Sequence, residues 1–372
     1  MNPDDKINNE QDQLNKVKSK DKFGILNSKY ILQQIFDIIQ KNKSLEIIKY
    51  NKMIQNRIDI SINDYKEYSE IYSSIEIEII PAENKEGQFI NFKKEDENYY
   101  HIYFDNNTEE IKRNILNKGD KISKIKIIID YPIKSFENLF KECTSIESIY
   151  FKKIHRNNIN NMSHMFEEST SLKEISFNNC NAKDVISMNN MFRYCSSLKR
   201  LNLNNFITDN INDMSYMFYH CLNLKNINLS SFNTSKVTKM DNMFYGCSLI
   251  KELNLSNFNT NNVTDMSSMF SGCSLLKELN LSNFNTHNVT NVGNMFFLCS
   301  ELKKLNLVNF NTSKVTNMSK MFYGCSKLKE INIKNFNTDN APNVGSMFSR
   351  CSDELKKKIR NKFKNISQEA FI

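Results

Sequence analysis

The chain has no tryptophan, only 4 prolines and 8 glycines in 372 residues, and no run of 18 apolar residues. The last absence leaves no transmembrane segment, since a spanning helix needs about 20 apolar residues. Residues 1–22 are polar and charged without an apolar stretch, so they form neither a secretory signal nor a transit peptide. Without an export signal, the nine cysteines read as reduced thiols of a cytoplasmic protein rather than as a disulfide framework. His101, His155, His164, His220 and His287 have no partner at helical spacing and no Cys-x-x-Cys companion, so they outline no zinc set and no triad, and they read as surface residues. There is no Gly-rich phosphate loop and no Gly-x-Ser-x-Gly turn. The recurring Glu174, Glu252, Glu278 and Glu330 are not paired as acid and base. The expectation is therefore no catalytic residue, no metal, no cofactor and no enzyme. The net charge of +8 sits on a chain rich throughout in Asn, Ile and Lys, so it carries little weight toward nucleic acid.

What the chain does have is a repeat. A Met-Phe step occurs at Met165, Met191, Met217, Met243, Met269, Met295, Met321 and Met347, always 26 residues apart, and Leu139-Phe140 extends the register one unit earlier. A fixed period in this range is the signature of a stacked architecture. Within one unit, Leu253-Asn254-Leu255 alternates as a short strand. Val263, Met266, Met269, Phe270 and Cys273 follow at the spacing of one helix face, with Thr264 or Asp265 as cap and Gly272 in a left-handed position. The predicted fold is an α/β solenoid of strand-turn-helix units. One coil cannot bury its apolar face alone, so neighbours are obligatory.

The remaining segments follow in order. Residues 1–22 read as a disordered tail and 23–72 as a small helical module, with Ile31, Leu32, Ile35, Phe36 and Ile39 on one face. Residues 73–134 are β-rich: strands are expected over 75–80, Tyr100–Phe104 and Ile122–Ile129. The last of these is expected to be a degenerate first rung, because Ile125 and Ile133 precede Phe151 and Ile159 by one period. Repeats fill 135–351. Residues 352–372 read as an amphipathic cap helix carrying Leu355, Ile359, Phe363 and Ile366.

The unit Asn-x-x-x-Met-Phe-x-x-Cys-x-x-Leu-Lys-x-Leu-Asn-Leu-x-x-Phe-Asn-Thr-x-x-Val resembles the 26-residue repeat of bacterial surface proteins, the BspA-like leucine-rich repeat. That resemblance implies a leucine-rich-repeat solenoid with a binding role, often at a cell surface; surface display here would follow from the resemblance alone. Residues 29–58, with Ile31-Leu32, Ile35-Phe36, Leu45, Ile47, Ile48 and Lys52, look like an F-box without its Leu-Pro opening and later Trp. This implies, as an alternative, a substrate adaptor that docks a ubiquitin-ligase component through 29–58. A cell-surface adhesion or ligand-binding protein is the third alternative.

The column Cys143, Cys195, Cys221, Cys247, Cys273, Cys299, Cys325 and Cys351, with Ser169 in its gap, reads as small core residues, because thiols one rung apart are too distant for relaxed disulfides. Asn233, Asn259, Asn285, Asn311 and Asn337 read as a structural turn ladder. The asparagines between inward leucines, Asn202, Asn228, Asn254, Asn280, Asn306 and Asn332, should point outward. Beside them lie the varied Glu174, Arg200, Asn226, Glu252, Glu278, Lys304 and Glu330. Varied side chains on a repeated frame are how a solenoid obtains specificity. The candidate partner-binding residues are therefore Glu174, Arg200, Asn226, Asn228, Glu252, Asn254, Glu278, Asn280, Lys304, Asn306, Glu330 and Asn332, and the expected partner is another protein.

Overall fold

The structure, a computed structural model, describes residues 72–372 apart from 131–132, 155, 157, 178–179, 181, 205, 339–342 and 364–365. The chain divides into two compact units, Met1–Ser73 and Ser74–Ile372, and the second is described here. The expected tail, the helical module apart from its last residue, and the F-box-like stretch 29–58 lie outside the described residues.

Strands β1 (Ile75–Pro81), β2 (Gly87–Gln88), β3 (Tyr100–Phe104), β4 (Ile115–Leu116), β5 (Ile125–Ile129) and β6 (Ile146–Lys153) open the unit. Alternation makes β1 a strand and also aims it: Ile75, Ile77 and Ile79 are wholly buried, while Glu76 and Glu78 reach outward. The first sheet runs β3-β5-β1-β6-β7-β8, where β7 is Glu174–Phe177 and β8 is Arg200–Asn202. Here the expected first rung differs: β5 pairs antiparallel with β1 and β3, and it is β1, antiparallel to β6, that lies against the stack. A two-residue period cannot distinguish a parallel rung from an antiparallel cap, because both bury alternate side chains. From β6 onward the pairing is parallel, with Ile149↔Ile175 and Ile175↔Leu201 in register.

The coils are continuous along one ladder of parallel bridges from Ser135 through Asn161, Ser187, Asp213, Lys239, Asp265, Asn291 and Asn317 to Asn343. The expected helix in each coil is absent among the described residues, and turns occupy its place. In the coil around Phe270, the N–H groups of Met266, Ser268, Phe270 and Gly272 donate to the next coil, at 2.7–3.0 Å. Those of Met269, Ser271 and Cys273 instead donate three residues back within the coil. Left-handed residues at Ser268 (φ 55°) and Gly272 (φ 72°) break the helical path. An α-helix would spend every interior N–H on its own coil. Sharing them between coils allows the Val-Met-Met-Phe-Cys face to stack at close pitch, and both arrangements bury the same residues.

That pitch is visible in the core. Phe140, Phe166, Phe192, Phe218, Phe244, Phe270, Phe296, Phe322 and Phe348 form one stack with centroids 5.2–5.8 Å apart. Each ring removed from water contributes about 1.5–3 kcal/mol, and within the stack it is the neighbouring rings that cover its two faces. Thr208, Thr234, Thr260, Thr286 and Thr312 form a second ladder: Thr260 Oγ1 accepts from Asn285 N (2.8 Å) and donates to Asn285 O (2.9 Å); Thr208, Thr234 and Thr312 repeat both bonds, and Thr286 donates to Asn311 O.

A second parallel sheet contains β9 (Glu278–Asn280), β10 (Lys304–Asn306) and β11 (Glu330–Asn332), with Leu279, Leu305 and Ile331 in register. After the last coil, Ser352 caps α1 (Asp353–Lys362) by accepting from Leu355 N at 3.3 Å, and Leu355 and Ile359 are buried. This helix is shorter than the sequence suggested. A 3-10 turn at Gln368–Phe371 follows, and Glu369 and Ala370 accept from Ser346 N and Phe348 N at 2.6 Å while Phe371 stacks on Phe348.

Candidate functional site: a groove on the strand face

Four successive coils, 252–256, 278–283, 304–306 and 329–332, line an open groove of ≈ 950 Å³. Leu253 and Ile331 lie half-buried at its two ends, Leu279 and Leu305 beneath it are turned into the core at 3% and 2% exposure, and Glu252, Glu278, Lys304 and Glu330 form a charged row beside them. Alternation positions these groups: in β9 the pattern Glu-Leu-Asn is exposed, buried, exposed. Lys304 Nζ lies 3.8 Å from Glu330, an exposed pair that contributes little stability. Glu252 and Glu278 have no ion-pair partner among the described residues, so two carboxylates face the groove uncompensated.

The outward asparagines are where the alternation puts them, but one end of five of the six is engaged in a turn. The side-chain oxygens of Asn202, Asn228, Asn254, Asn280 and Asn306 accept from the backbone N–H two residues on, at 3.0–3.2 Å. Asn228 and Asn306 also donate to Asn204 and Asn280 of the preceding coil. The row is thus partly structural. It offers amide N–H groups, and few acceptors, to a partner. The other asparagine set behaves alike: Asn233, Asn259, Asn285 and Asn311 accept from the N–H two residues on, at 2.9–3.1 Å.

The candidate residues do not all meet. Glu252, Asn254, Glu278, Asn280, Lys304, Asn306, Glu330 and Asn332 share the groove. Glu174 and Arg200 belong to the first sheet and bond each other, with Arg200 Nε 2.7 Å from Glu174 Oε2. Asn226 and Asn228 lie between the two sheets, in a coil without an assigned strand.

The cysteine column is built into the core. Each thiol from Cys195 to Cys351 donates to the carbonyl of a phenylalanine 29 residues earlier, at 3.0–3.2 Å, and Ser169 makes the same bond to Phe140 O at 2.5 Å. Burial pushes all these thiols up, that of Cys273 to about 12 and that of Cys351 to about 11, away from the reactive thiolate.

Three of the histidines, His101, His164 and His220, depart from the surface reading, whereas His287 is exposed as expected. His101 sits 3.2 Å from both Glu110 and Asp130, and His164 lies 2.8 Å from Glu167. His220 stacks on Tyr194 at 5.3 Å, with burial and then the nearby Arg193 lowering its pKa. Around it is a flank that the sequence reading passed over. Arg193 lies over the rings of Tyr194, Tyr216 and Tyr219 at 5.0–5.7 Å, and Tyr219 stacks on Tyr245 at 4.6 Å. Glu167, only 3% exposed, joins Lys141 (2.8 Å), His164 (2.8 Å) and Arg193 (3.0 Å) at its edge. The 26-residue register would have aligned Lys141, Glu167, Arg193, Tyr219 and Tyr245 as one column. Only distances show that they touch.

Among solved structures, the chain is similar to a Treponema pallidum leucine-rich repeat protein at 18% identity (58% of this chain, 88% of that one, TM-score 0.37). It is similar also to a Bacteroides ovatus leucine-rich repeat protein at 17% identity (57% and 66%, TM-score 0.24). A leucine-rich cell surface protein of Faecalibacterium prausnitzii is a third, at 14% identity (54% and 76%, TM-score 0.21). None of these supports the ligase-adaptor reading of residues 29–58. No curated protein matches the chain. No helix among the described residues is long and apolar enough to cross a membrane. Residues 134–253 and 246–362 each match one family model, described as Mycoplasma protein of unknown function, DUF285. The matched span is more than half of the chain and coincides with the BspA-like leucine-rich repeats: the chain belongs to the DUF285 family.

Proposed function

We propose that the protein is a binding scaffold that holds another protein in the groove between Glu252 and Asn332. The observation that supports this is the convergence of four coils: a row of amides and a charged row, with half-buried Leu253 and Ile331, at fixed pitch, on a frame whose backbone hydrogen bonds are satisfied by neighbouring coils. The unpaired Glu252 and Glu278 would set the sign of the partner's matching surface, which carries Lys or Arg. Glu174 and Arg200 satisfy each other in the other sheet and are secondary to it.

The test is a photo-crosslinking residue placed at Asn280 in the full chain, with the same residue at Asn288 on a turn as control. Capture of one protein from Asn280 and not from Asn288, lost in E252K/E278K at unchanged Tm, supports the groove. Equal capture from both positions, or capture that survives the charge reversal, overturns it.

A further inference from the structure

One column of the repeat is more uniform than the groove beside it. Lys173, Lys199, Lys225, Lys251, Lys277, Lys303 and Lys329 recur at 26-residue steps, and all are exposed. Their neighbour column varies as Glu174, Arg200, Asn226, Glu252, Glu278, Lys304 and Glu330. A general preference for lysine would enrich every exposed column, so composition does not explain this one. Lys173 is paired with Glu147 at 2.9 Å, whereas the other six have no ion-pair partner among the described residues. In the C-terminal half the row is straight and continuous. Lys277 N donates to Lys251 O (3.4 Å), Lys303 N to Lys277 O (2.7 Å) and Lys329 N to Lys303 O (3.1 Å), which fixes the step at about one strand spacing, ~4.8 Å.

Like charges one rung apart repel; Glu301 near Lys277 and Lys303, and Glu354 near Lys329, offset part of this, and an anion laid along the row would offset more. The strip is one side chain wide except where Lys304 adjoins Lys303, and it is bordered elsewhere by Glu252, Glu278 and Glu330. A membrane or a duplex, being broad, would press its negative charge on those carboxylates together with the lysines. A single thin polyanion can follow the row and avoid them. The residues lining the adjacent groove include no aromatic ring, so nothing there stacks the bases of single-stranded nucleic acid. What the groove does offer is suited to hydroxyl groups: amides at Asn254, Asn280 and Asn332, hydroxyls at Ser256 and Ser282, and carboxylate acceptors at Glu252 and Glu278.

We propose that Lys251, Lys277, Lys303 and Lys329 bind one extended chain of an acidic polysaccharide, laid along the solenoid axis at the rim of the groove. The polymer's anionic groups meet the lysines, and its hydroxyls meet the amides and carboxylates alongside. The proposal does not depend on a protein partner for the groove.

The experiment titrates the full-length protein into fluorescein-labelled alginate and follows anisotropy at several salt concentrations. The wild type is expected to bind, with affinity falling linearly in log salt. The quadruple variant K251Q/K277Q/K303Q/K329Q should lose at least about tenfold in affinity and show a shallower salt slope. A control with equal charge change elsewhere, K236Q/K314Q/K356Q/K357Q, keeps wild-type affinity, and the four lysines changed to arginine also keep it. Circular dichroism melting of each variant separates lost binding from lost fold. The proposal is overturned if alginate does not bind, if the control loses as much as the row variant, or if the arginine variant fails while folded. Tighter row-dependent binding to oligo-dT, to polyglutamate or to phosphatidylserine vesicles than to alginate also overturns it.

Discussion

At the scale of single residues, the cysteine column shows how a conspicuous motif resolves into packing. Ser169 already performs the cysteine's bond in its own coil. Accordingly, Cys247→Ser is expected to stay within about 1 kcal/mol of wild type in urea unfolding, whereas Cys247→Leu should cost ~1–3 kcal/mol by overpacking the stack. Thiol labelling should be slow in the native protein and fast after unfolding, because burial holds these thiols protonated. Rapid labelling under native conditions would contradict the buried column. Glu167 yields a pH prediction. Burial alone would raise its pKa, but the hydrogen bonds from Lys141 and His164 outweigh it, and the folded value lies below the ordinary 4.5. A carboxyl depressed in the fold contributes stability that is complete above its unfolded pKa and is lost as pH falls through the folded value. Denaturation midpoints should therefore decline below about pH 4.5, and Glu167→Gln should flatten that decline while lowering the midpoint at pH 7.

At the scale of the element, a coil is held by bonds to its neighbours more than by its own regular structure. Thr260 is 1% exposed and satisfies both the N–H and the C=O of Asn285 in the next coil. Thr260→Val preserves shape and removes both bonds, so it is expected to cost ~1–3 kcal/mol in urea unfolding; a change under ~0.5 kcal/mol would mean that water replaces the hydroxyl there. The helix expected in each coil fails for the same reason. Its signal was apolar spacing, and spacing reports which residues are buried but not where their N–H groups donate. The left-handed residues that break it are at times glycine, as at Gly246 and Gly272, and at times His220 or Leu298, so composition gave only an intermittent mark.

At the scale of the molecule, a stack must end without an open face. The antiparallel β1 covers one end of the parallel array, and the turn at Gln368–Phe371 lies on the last coil, placing Phe371 against Phe348. Truncation after Ser352 is expected to expose Phe348 and the apolar row behind it. That should lower Tm and add dye-binding apolar surface; an unchanged Tm would show that the final coil is stable uncovered. Because coils contact only neighbours, damage at this end should spread from coil to coil, so hydrogen exchange in the truncated chain should be fastest near Met347 and decline toward Phe140. Uniform exchange along the stack would instead indicate a single cooperative block.

The sequence alone determined the period, the inward residues and the outward asparagines, since periodic burial leaves its mark in the order of apolar side chains: Leu, Phe, Met and Cys recur where neighbouring coils exclude water. It also determined which columns vary and which do not, the lysine row included. Tertiary structure alone decided how the backbone is satisfied, turning an expected helix into shared turns and a presumed first rung into an antiparallel cap. It decided, too, which candidates meet, bringing Glu252 through Asn332 around one groove and leaving Glu174 paired with Arg200 in another sheet. The physical reason is that side-chain burial is written locally along the chain, whereas hydrogen-bond partners and charge pairs are chosen between coils, 24 residues or more apart in the sequence, between groups that carry no mark of each other.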